Sequence, residues 1–418
     1  MFRKLLTLAE AQKIIHQHVT PRPLNVEEIP LLRAFNRILA QDIVATLDIP
    51  PFDRSTVDGY AVNAEDTFNA EENKPAKLKI CGRANVGEMP KATVKLGTAV
   101  EIVTGAPIPK GANAVVMLED TELQDEELYV HNAAVAGENI MKTGSDIKKG
   151  ETILTKGAVL RSGEIGTLAA AGSSKIRVYV VPRVAVLSTG PEVTRPGRKL
   201  PPGRIYDTNA YSLGAAVEES GGKPIHMGVL QDKASQIRNA LTKALRSTDL
   251  IVTSGGVSVG PKDLMPQVLD SLGKPGVIIH GIAIKPGKPV TVASIDEKMV
   301  FSLPGHPASA LLVFHLLVQP VIQTMTGRKP YDPIRVKALA TMKMFPAKGR
   351  RTFIMVSLRR DKLKRLLAEP VPTGLSGAIT TVAKADGFVE IAENQQFIDA
   401  DEEVKVTLLK AAALGYVD

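Results

Sequence analysis

The sequence predicts an α/β multidomain protein. Its centre is a doubly wound α/β domain, preceded by an inserted β-rich segment with helical and β flanks and followed by a β-rich C-terminal domain. Three observations predict this. Between residues 179 and 327, short apolar runs alternate with amphipathic helical patterns, which implies a parallel sheet covered by helices on both faces. Residues 49–140 and 328–418 instead carry short alternating runs broken by Gly, Pro and Asp, the pattern of small β domains. The length of 418 residues accommodates several domains and a large buried core.

Residues 1–48 read as helical. Thr7 and Glu10 have the spacing of a capping box, and Ile14, Ile15 and His18 continue one face until Pro21 and Pro23 stop the helix. A second helix fits Leu31 to Asp42, with Leu32, Phe35 and Leu39 on one side. Residues 49–140 open on a loop rich in Pro, Asp and Gly that holds Asp53 and Asp58. β-like runs follow at KLKIC, AVEIVTG, AVVML and ELYV. Thr104 lies in a loop stiffened by Pro107 and Pro109. An Asx turn at Asp58-Gly59 is the ordinary reading of that aspartate. Residues 141–178 give a turn-rich β segment, then a short helix from Ser162, read as its N-cap, to a stop at Gly172. Residues 1–48 and 141–178 are alike enough in style to form one domain interrupted by the insertion, although composition alone does not join them.

In the central region, a strand at 184–188 leads to Glu192, and a helix spans about Asn209 to Glu219. A strand at 224–230 leads to Asp232, placed to cap the next helix. Leu250 to Val252 is an apolar run with glycines close behind it at Gly255, Gly256 and Gly260. Glycine lets the backbone approach a ligand, and a strand, a glycine loop and a helix start gather N–H groups around one point that suits an oxyanion. The spacing matches neither the Walker loop nor the dinucleotide fingerprint, so it names no ligand. Further strands follow near 277–279, 289–293 and 299–303, and a helix from Ala308 to Met325 closes the unit. Ligands bind such sheets at the carboxyl ends of the strands. The loops at those ends carry Glu192, Asp232, Asp263, Lys285, Lys288 and the turn LPGHPAS. Each acid alone reads as a helix cap. Three together beside an oxyanion loop would repel an anion unless a divalent cation such as Mg²⁺ intervened. Residues 328–418 read as a small barrel or sandwich, with the basic run DKLKRLLAEP as a solvated face.

Composition limits the function classes. Apolar residues make up 44% and the longest apolar stretch, Ala308 to Val318, is interrupted by Ser309 and His315, too short to span a bilayer. The start of the chain shows no signal-peptide core, and one cysteine, Cys81, suits a reducing cytoplasm. The formal charge of +8 raises nucleic acid as one class of partner. With aromatics at 4%, no Trp and no nucleic-acid module, an anionic small substrate explains it equally well. The seven histidines are scattered, with no Cys/His metal spacing.

Five stretches taken in order resemble one family: PFDRSTVDGYA, TGAPIPKGANAVVM, SGGVSVGPKD, KPGKP and LPGHPASA. They look like the molybdenum insertases, which are the bacterial MoeA proteins and the E domains of gephyrin-type proteins. The resemblance implies a homodimer of four-domain chains. In this sequence the parts would be a helical/β linker domain at 1–48 and 141–178, a β-rich lid domain at 49–140, a molybdopterin-binding α/β domain at 179–327, and a C-terminal β-barrel domain at 328–418. It implies Mg²⁺-dependent cleavage of adenylylated molybdopterin, transfer of molybdenum from molybdate to the dithiolene, and release of AMP in the cytoplasm. Asp58, Glu192 and Asp263 would be catalytic, and Glu192, Asp232 and Asp263 would hold Mg²⁺. Substrate would meet Thr104, Asp146, Ser254, Gly255, Gly256, Ser258, Gly260, Lys285, Lys288, Pro304, Gly305, His306, Pro307 and Ser309, with the anion falling to Lys285, Lys288 and Ser309. Asp58 and Thr104 would reach the partner chain's site across the dimer. A molybdopterin adenylyltransferase and molybdoenzyme maturation proteins are the implied partners, with no nucleic acid and no membrane.

Two positions depart from the family pattern. Pro191 stands where an acidic residue is common, and His306 stands where Asn is common in the PGNP turn. A tungstate-specific insertase, a molybdopterin adenylyltransferase and a non-catalytic scaffold are the rival readings. The lid and C-terminal β segments argue against the adenylyltransferase, and the intact acidic and glycine positions argue against the scaffold.

Overall fold

A computed structural model describes residues 5–18, 23–256, 264–328, 333–372 and 379–409. Ser258, Gly260 and Asp263 lie outside these residues. The chain divides into two compact units, one of Met1–Glu28, Asn36–Ala40 and Arg177–Asp418, the other of Ile29–Phe35 and Gln41–Ile176.

The first helix, α1 (Leu8–His18), starts as the capping box requires. The Glu10 carboxylate accepts from the Thr7 N–H at 2.7 Å, and the Thr7 hydroxyl accepts from the Glu10 N–H at 3.2 Å. The helix expected over residues 31–42 does not form. Only Leu31–Arg33 makes a 3₁₀ turn, Asn36 takes φ +60°, and Ala40 donates its N–H to Arg177. Its apolar spacing is not a buried face, since Leu32 is 98% and Phe35 63% exposed. Pairing with strand backbone replaces helical hydrogen bonds there.

The main sheet of the second unit has six strands: β1 (Gly59–Val62), β2 (Ala76–Ala84), β3 (Thr98–Ile102), β4 (Ala114–Met117), β5 (Thr121–Gln124) and β6 (Glu127–Val130). They form one open sheet in the order β4-β1-β3-β2-β6-β5. Helix α2 (Ser162–Ala170) follows. Its cap is Arg161, whose N–H is taken by Glu164, so Ser162 is the first helical residue rather than the cap.

The α/β part of the first unit runs β7 (Arg183–Thr189), α3 (Asn209–Glu219), β8 (Lys223–Leu230), α4 (Ala234–Ser247), β9 (Leu250–Ser254), α5 (Met265–Asp270), β10 (Pro275–His280), β11 (Ile284–Lys285), β12 (Thr291–Ile295), β13 (Lys298–Leu303) and α6 (Pro307–Met325). The strand order is β8-β7-β9-β13-β12-β10, with β11 outside this sheet. The first four strands are parallel, and β12 alone runs against them, pairing antiparallel with both β13 and β10, so the sheet is mixed rather than purely parallel. The reversal of β12 follows from chain length: only Asp296 and Glu297, both at positive φ, join β12 to β13, and a hairpin is all that two residues allow. Side-chain alternation sends Val184 and Val186 of β7 into one core and Ala185 and Leu187 into the other. Helix α4 is capped at Lys233 rather than Asp232, which leaves the Asp232 carboxylate outside the helix.

Helix α6 is long and apolar enough to cross a membrane by length and composition, exceeding the expected apolar stretch, yet Ala310 to Phe314, Leu317, Val318, Val321 and Ile322 belong to the protein core. Pro320 has no N–H to give the Leu316 carbonyl four residues earlier. The turn Phe314–Val318 widens to a π-helix at this point, and Gln12 of α1 donates its side-chain N–H to Leu316 O at 3.3 Å.

The C-terminal strands β14 (Arg335–Ala340), β15 (Arg351–Arg360), β16 (Leu366–Pro370), β17 (Gly387–Ile391) and β18 (Glu403–Leu408) close into a barrel. The order is β15-β16-β14-β18-β17, with β17 pairing back onto β15 and β11 added at the start of β15. The run DKLKRLLAEP is not merely a solvated face. Its second half is β16, whose Ala368 is fully buried.

A candidate oxyanion site at the carboxyl ends of the parallel strands

Ser254 ends β9 and is buried, with Gly255 and Gly256 directly after it at φ +87° and +67°. The glycines are required by space as well as by φ. A Cβ on Gly255 would stand 2.3 Å from the Thr189 carbonyl oxygen, and one on Gly256 2.7 Å from the Thr189 hydroxyl. The turn after β13, Pro304 to Pro307, comes against this loop, so that a Cβ on Gly305 would stand 3.7 Å from the Gly255 Cα. Side chains join the two loops. The Ser254 hydroxyl donates to Pro304 O at 3.1 Å, and Asn209 Nδ2 donates to Ser254 Oγ at 2.6 Å and to Gly305 O at 2.7 Å. Asp207, itself buried, accepts from the Ser188 hydroxyl at 2.9 Å and from the Ala210 N–H in the first turn of α3 at 3.0 Å. Pro304 is buried, Gly305 and His306 are exposed, and Pro307 begins α6, in whose first turn Ser309 is buried.

The acidic side of the site lies at the ends of β7 and β8. The Glu192 carboxylate folds back over Gly190, filling the space 2.7 and 2.8 Å from where a Cβ would be. Asp232 follows β8 by two residues. Burial of its carboxyl and then the charge of Glu192 push Asp232 above the usual carboxylate range. These two acids are therefore brought together, as their places after neighbouring strands predict. Among the described residues no group of three metal-ligating side chains forms, and Asp263, the third expected acid, is outside them.

The KPGKP loop lies on α6, because a Cβ on Gly287 (φ +108°) would stand 2.5 Å from Val313 Cγ2. Lys285 is exposed and belongs to β11, whose pairing is with the barrel strand β15. Lys288 is half-buried, and its carbonyl accepts from Ile282 and Val290.

In the second unit, Asp58 and Thr104 are joined. Asp58 Oδ1 accepts from the Thr104 N–H at 2.6 Å and from its hydroxyl at 2.9 Å. These bonds, the backbone one first, hold the Asp58 carboxyl below the usual range. The acid thus fixes a distant loop rather than only turning at Asp58-Gly59. Asp146 is exposed in a loop whose backbone pairs with Ile49, and no described bond joins its side chain to Asp58.

Sequence reasoning passed over Thr189, Asp207 and Asn209. Asp207-Thr208-Asn209 ahead of a helix reads as an ordinary cap cluster, and nothing local shows that Asn209 bridges loops 45 and 96 residues away.

The fold and this cradle define an α/β ligand-binding domain of the molybdopterin-binding type. Residues 185–324 match the family described as a probable molybdopterin binding domain. Residues 6–172 and 337–409 match the MoeA N-terminal region (domain I and II) and the MoeA C-terminal region (domain IV). Molybdopterin molybdenumtransferases of Haemophilus influenzae and Nostoc sp. are 34% and 33% identical to this chain, over 96% and 92% of it and 98% and 89% of their own lengths. A molybdopterin biosynthesis MoeA protein of Pyrococcus horikoshii superposes with a TM-score of 0.84 at 41% identity, covering 98% of this chain and 100% of that one. The chain belongs to the MoeA family of molybdopterin molybdenumtransferases, and it is a transferase of molybdenum cofactor biosynthesis.

Proposed function

We propose that this protein takes adenylylated molybdopterin and molybdate, cleaves the pyrophosphate of the former, transfers molybdenum to its dithiolene and releases AMP. The observation that carries this reading is the pairing of an oxyanion cradle, Ser254 to Gly256 against Pro304 to Pro307, with two facing carboxylates at the same sheet end. The cradle offers close backbone approach to a phosphate. Glu192 and Asp232 give oxygen donors only, and the desolvation and then the repulsion by Glu192 that raise Asp232 are both relieved by a hard dication, so these residues fit Mg²⁺. When bound there, with Asp263 as a further donor, Mg²⁺ would polarise the phosphoryl oxygens and neutralise charge as the bridge breaks.

The chain's own residues bind and orient. Ser254, Gly255 and Gly256, with Ser258 and Gly260 further along the motif, hold the pyrophosphate. Glu192 and Asp263 act next to the bond that breaks. Lys285, Lys288 and Ser309 hold the molybdate, and Pro304 to Pro307 wall the cradle. Asp58, fixed by Thr104, and Asp146 belong to the unit of the lid. Asp58 and Thr104 in this reading complete the site of a second copy, and Asp146 meets substrate, in a homodimer whose chains have the four-part division of linker, lid, α/β domain and barrel. The lone Cys81 supports a cytoplasmic setting, in which the protein would receive substrate from a molybdopterin adenylyltransferase and pass product to molybdoenzyme maturation proteins.

The test is AMP release from adenylylated molybdopterin with Mg²⁺, with and without molybdate, for the wild type and Glu192→Gln. Molybdate-stimulated release, at least tenfold lower in the variant, is expected. No release with any metal leaves the scaffold reading, and release with tungstate alone changes the metal and keeps the site.

A further inference from the structure

We propose that Asn209 is the positioning residue of the oxyanion cradle. It holds the end of β9 at Ser254 against the turn Pro304 to Pro307, and so sets the shape of the cradle that a diphosphate would meet. The inference rests on the cradle assigned above.

The amide's orientation is fixed by its neighbours. Gly305 O is a carbonyl and can only accept. Ser254 spends its single hydroxyl hydrogen on Pro304 O at 3.1 Å, so toward Asn209 it too must accept. Both amide hydrogens of Asn209 are therefore committed, at 2.6 and 2.7 Å, to two loops that share no other described side-chain bridge except the Ser254 hydroxyl itself. The consequence is an unmatched atom: Asn209 Oδ1 is buried with no hydrogen-bond partner. A buried acceptor left unpaired is costly, and a residue chosen only for stability would not carry one. The Thr189 hydroxyl is likewise buried without a partner, directly beneath Gly256. Two unpaired polar atoms thus flank the loops that the amide joins. Polar groups are retained here for the geometry they impose.

Isosteric Asn209→Asp tests this most directly. It keeps the shape but sets a carboxylate against Gly305 O, and only a protonated carboxyl could donate there. Inorganic pyrophosphate binding is measured by calorimetry for wild type, Asn209→Asp and Asn209→Ala across pH, with urea denaturation alongside and KM and kcat for AMP release. Both variants are expected to bind pyrophosphate at least tenfold more weakly at neutral pH and to raise KM more than they lower kcat. Asn209→Asp should recover affinity as pH falls and Asn209→Ala should not. Asn209→Ala should lose little stability, because it removes the unpaired carbonyl with the two bonds.

Variants that bind pyrophosphate like the wild type overturn the inference, as does a loss that denaturation fully accounts for. A wild type that binds no pyrophosphate overturns the cradle and this inference with it. A wild type that binds pyrophosphate but releases no AMP defeats only the insertase reading, and Asn209 is then judged on binding alone.

Discussion

Replacing Glu192 with glutamine removes one of two facing acids and keeps the side chain's size, so it isolates the charge. Asp232 titrates above its ordinary 3.8 because of burial first and Glu192 second. Unit charges about 4 Å apart in water interact by about 1 kcal/mol, and solvated pairs measure roughly 0.2–1 kcal/mol. Both residues are exposed and the Asp232 carboxyl is only partly shielded from water, so the lower scale applies. In Glu192→Gln, the pKa of Asp232 should therefore fall yet stay above its ordinary 3.8, because its larger cause is untouched. The sign for stability follows from proton counting. A raised acid keeps its proton longer in the folded protein, so its contribution is lost as pH rises through the window above 3.8. At neutral pH the variant should be more stable by at most about 1 kcal/mol, a gain that disappears as pH falls through that window. Carboxyl carbon NMR gives the titration, and urea denaturation at neutral and acid pH gives the stability. Mg²⁺ titration should show weaker binding in the same variant. An unchanged Asp232, one that drops to or below 3.8, or a variant less stable at neutral pH would refute the reasoning.

The remaining predictions concern separate parts of the chain. Gly255→Ala forces a side chain into φ +87° against the Thr189 carbonyl, which should cost about 1–3 kcal/mol in urea denaturation and abolish pyrophosphate binding. Thr104→Val removes the hydroxyl donor but keeps the backbone N–H. The Asp58 carboxyl should rise part of the way toward its ordinary value, since the backbone bond is the larger cause. Asp58's contribution is present above the unfolded pKa and lost as pH falls through the folded one, so an NMR titration should show the loss beginning at higher pH in the variant. Gln12→Ala deprives Leu316 O of its side-chain donor and should cost about 0.5–1.5 kcal/mol, read as a lower urea midpoint with an unchanged slope.

What the sequence shows depends on how far apart the partners are. The helix Asn209–Glu219 is legible to its end residues because its signals are local, with a polar cluster ahead of it and Gly221-Gly222 behind. The apparent helix at 31–42 is not, because the backbone partner that displaces it, Arg177, is some 140 residues away. The site divides the same way. Glu192 and Asp232 are readable as a pair because each follows a strand and strand ends gather at one edge. The glycine loop is readable because glycine has few other reasons to repeat at that point. Asn209 looks like a cap from its neighbours alone. Only the meeting of two loops with the start of α3 shows both of its hydrogens spent and its oxygen unmatched. A motif read along the chain therefore finds the groups that meet a ligand before those that hold such groups apart. The positioning residues are the ones a structure adds, and an unpaired buried atom is the mark by which they can be searched for.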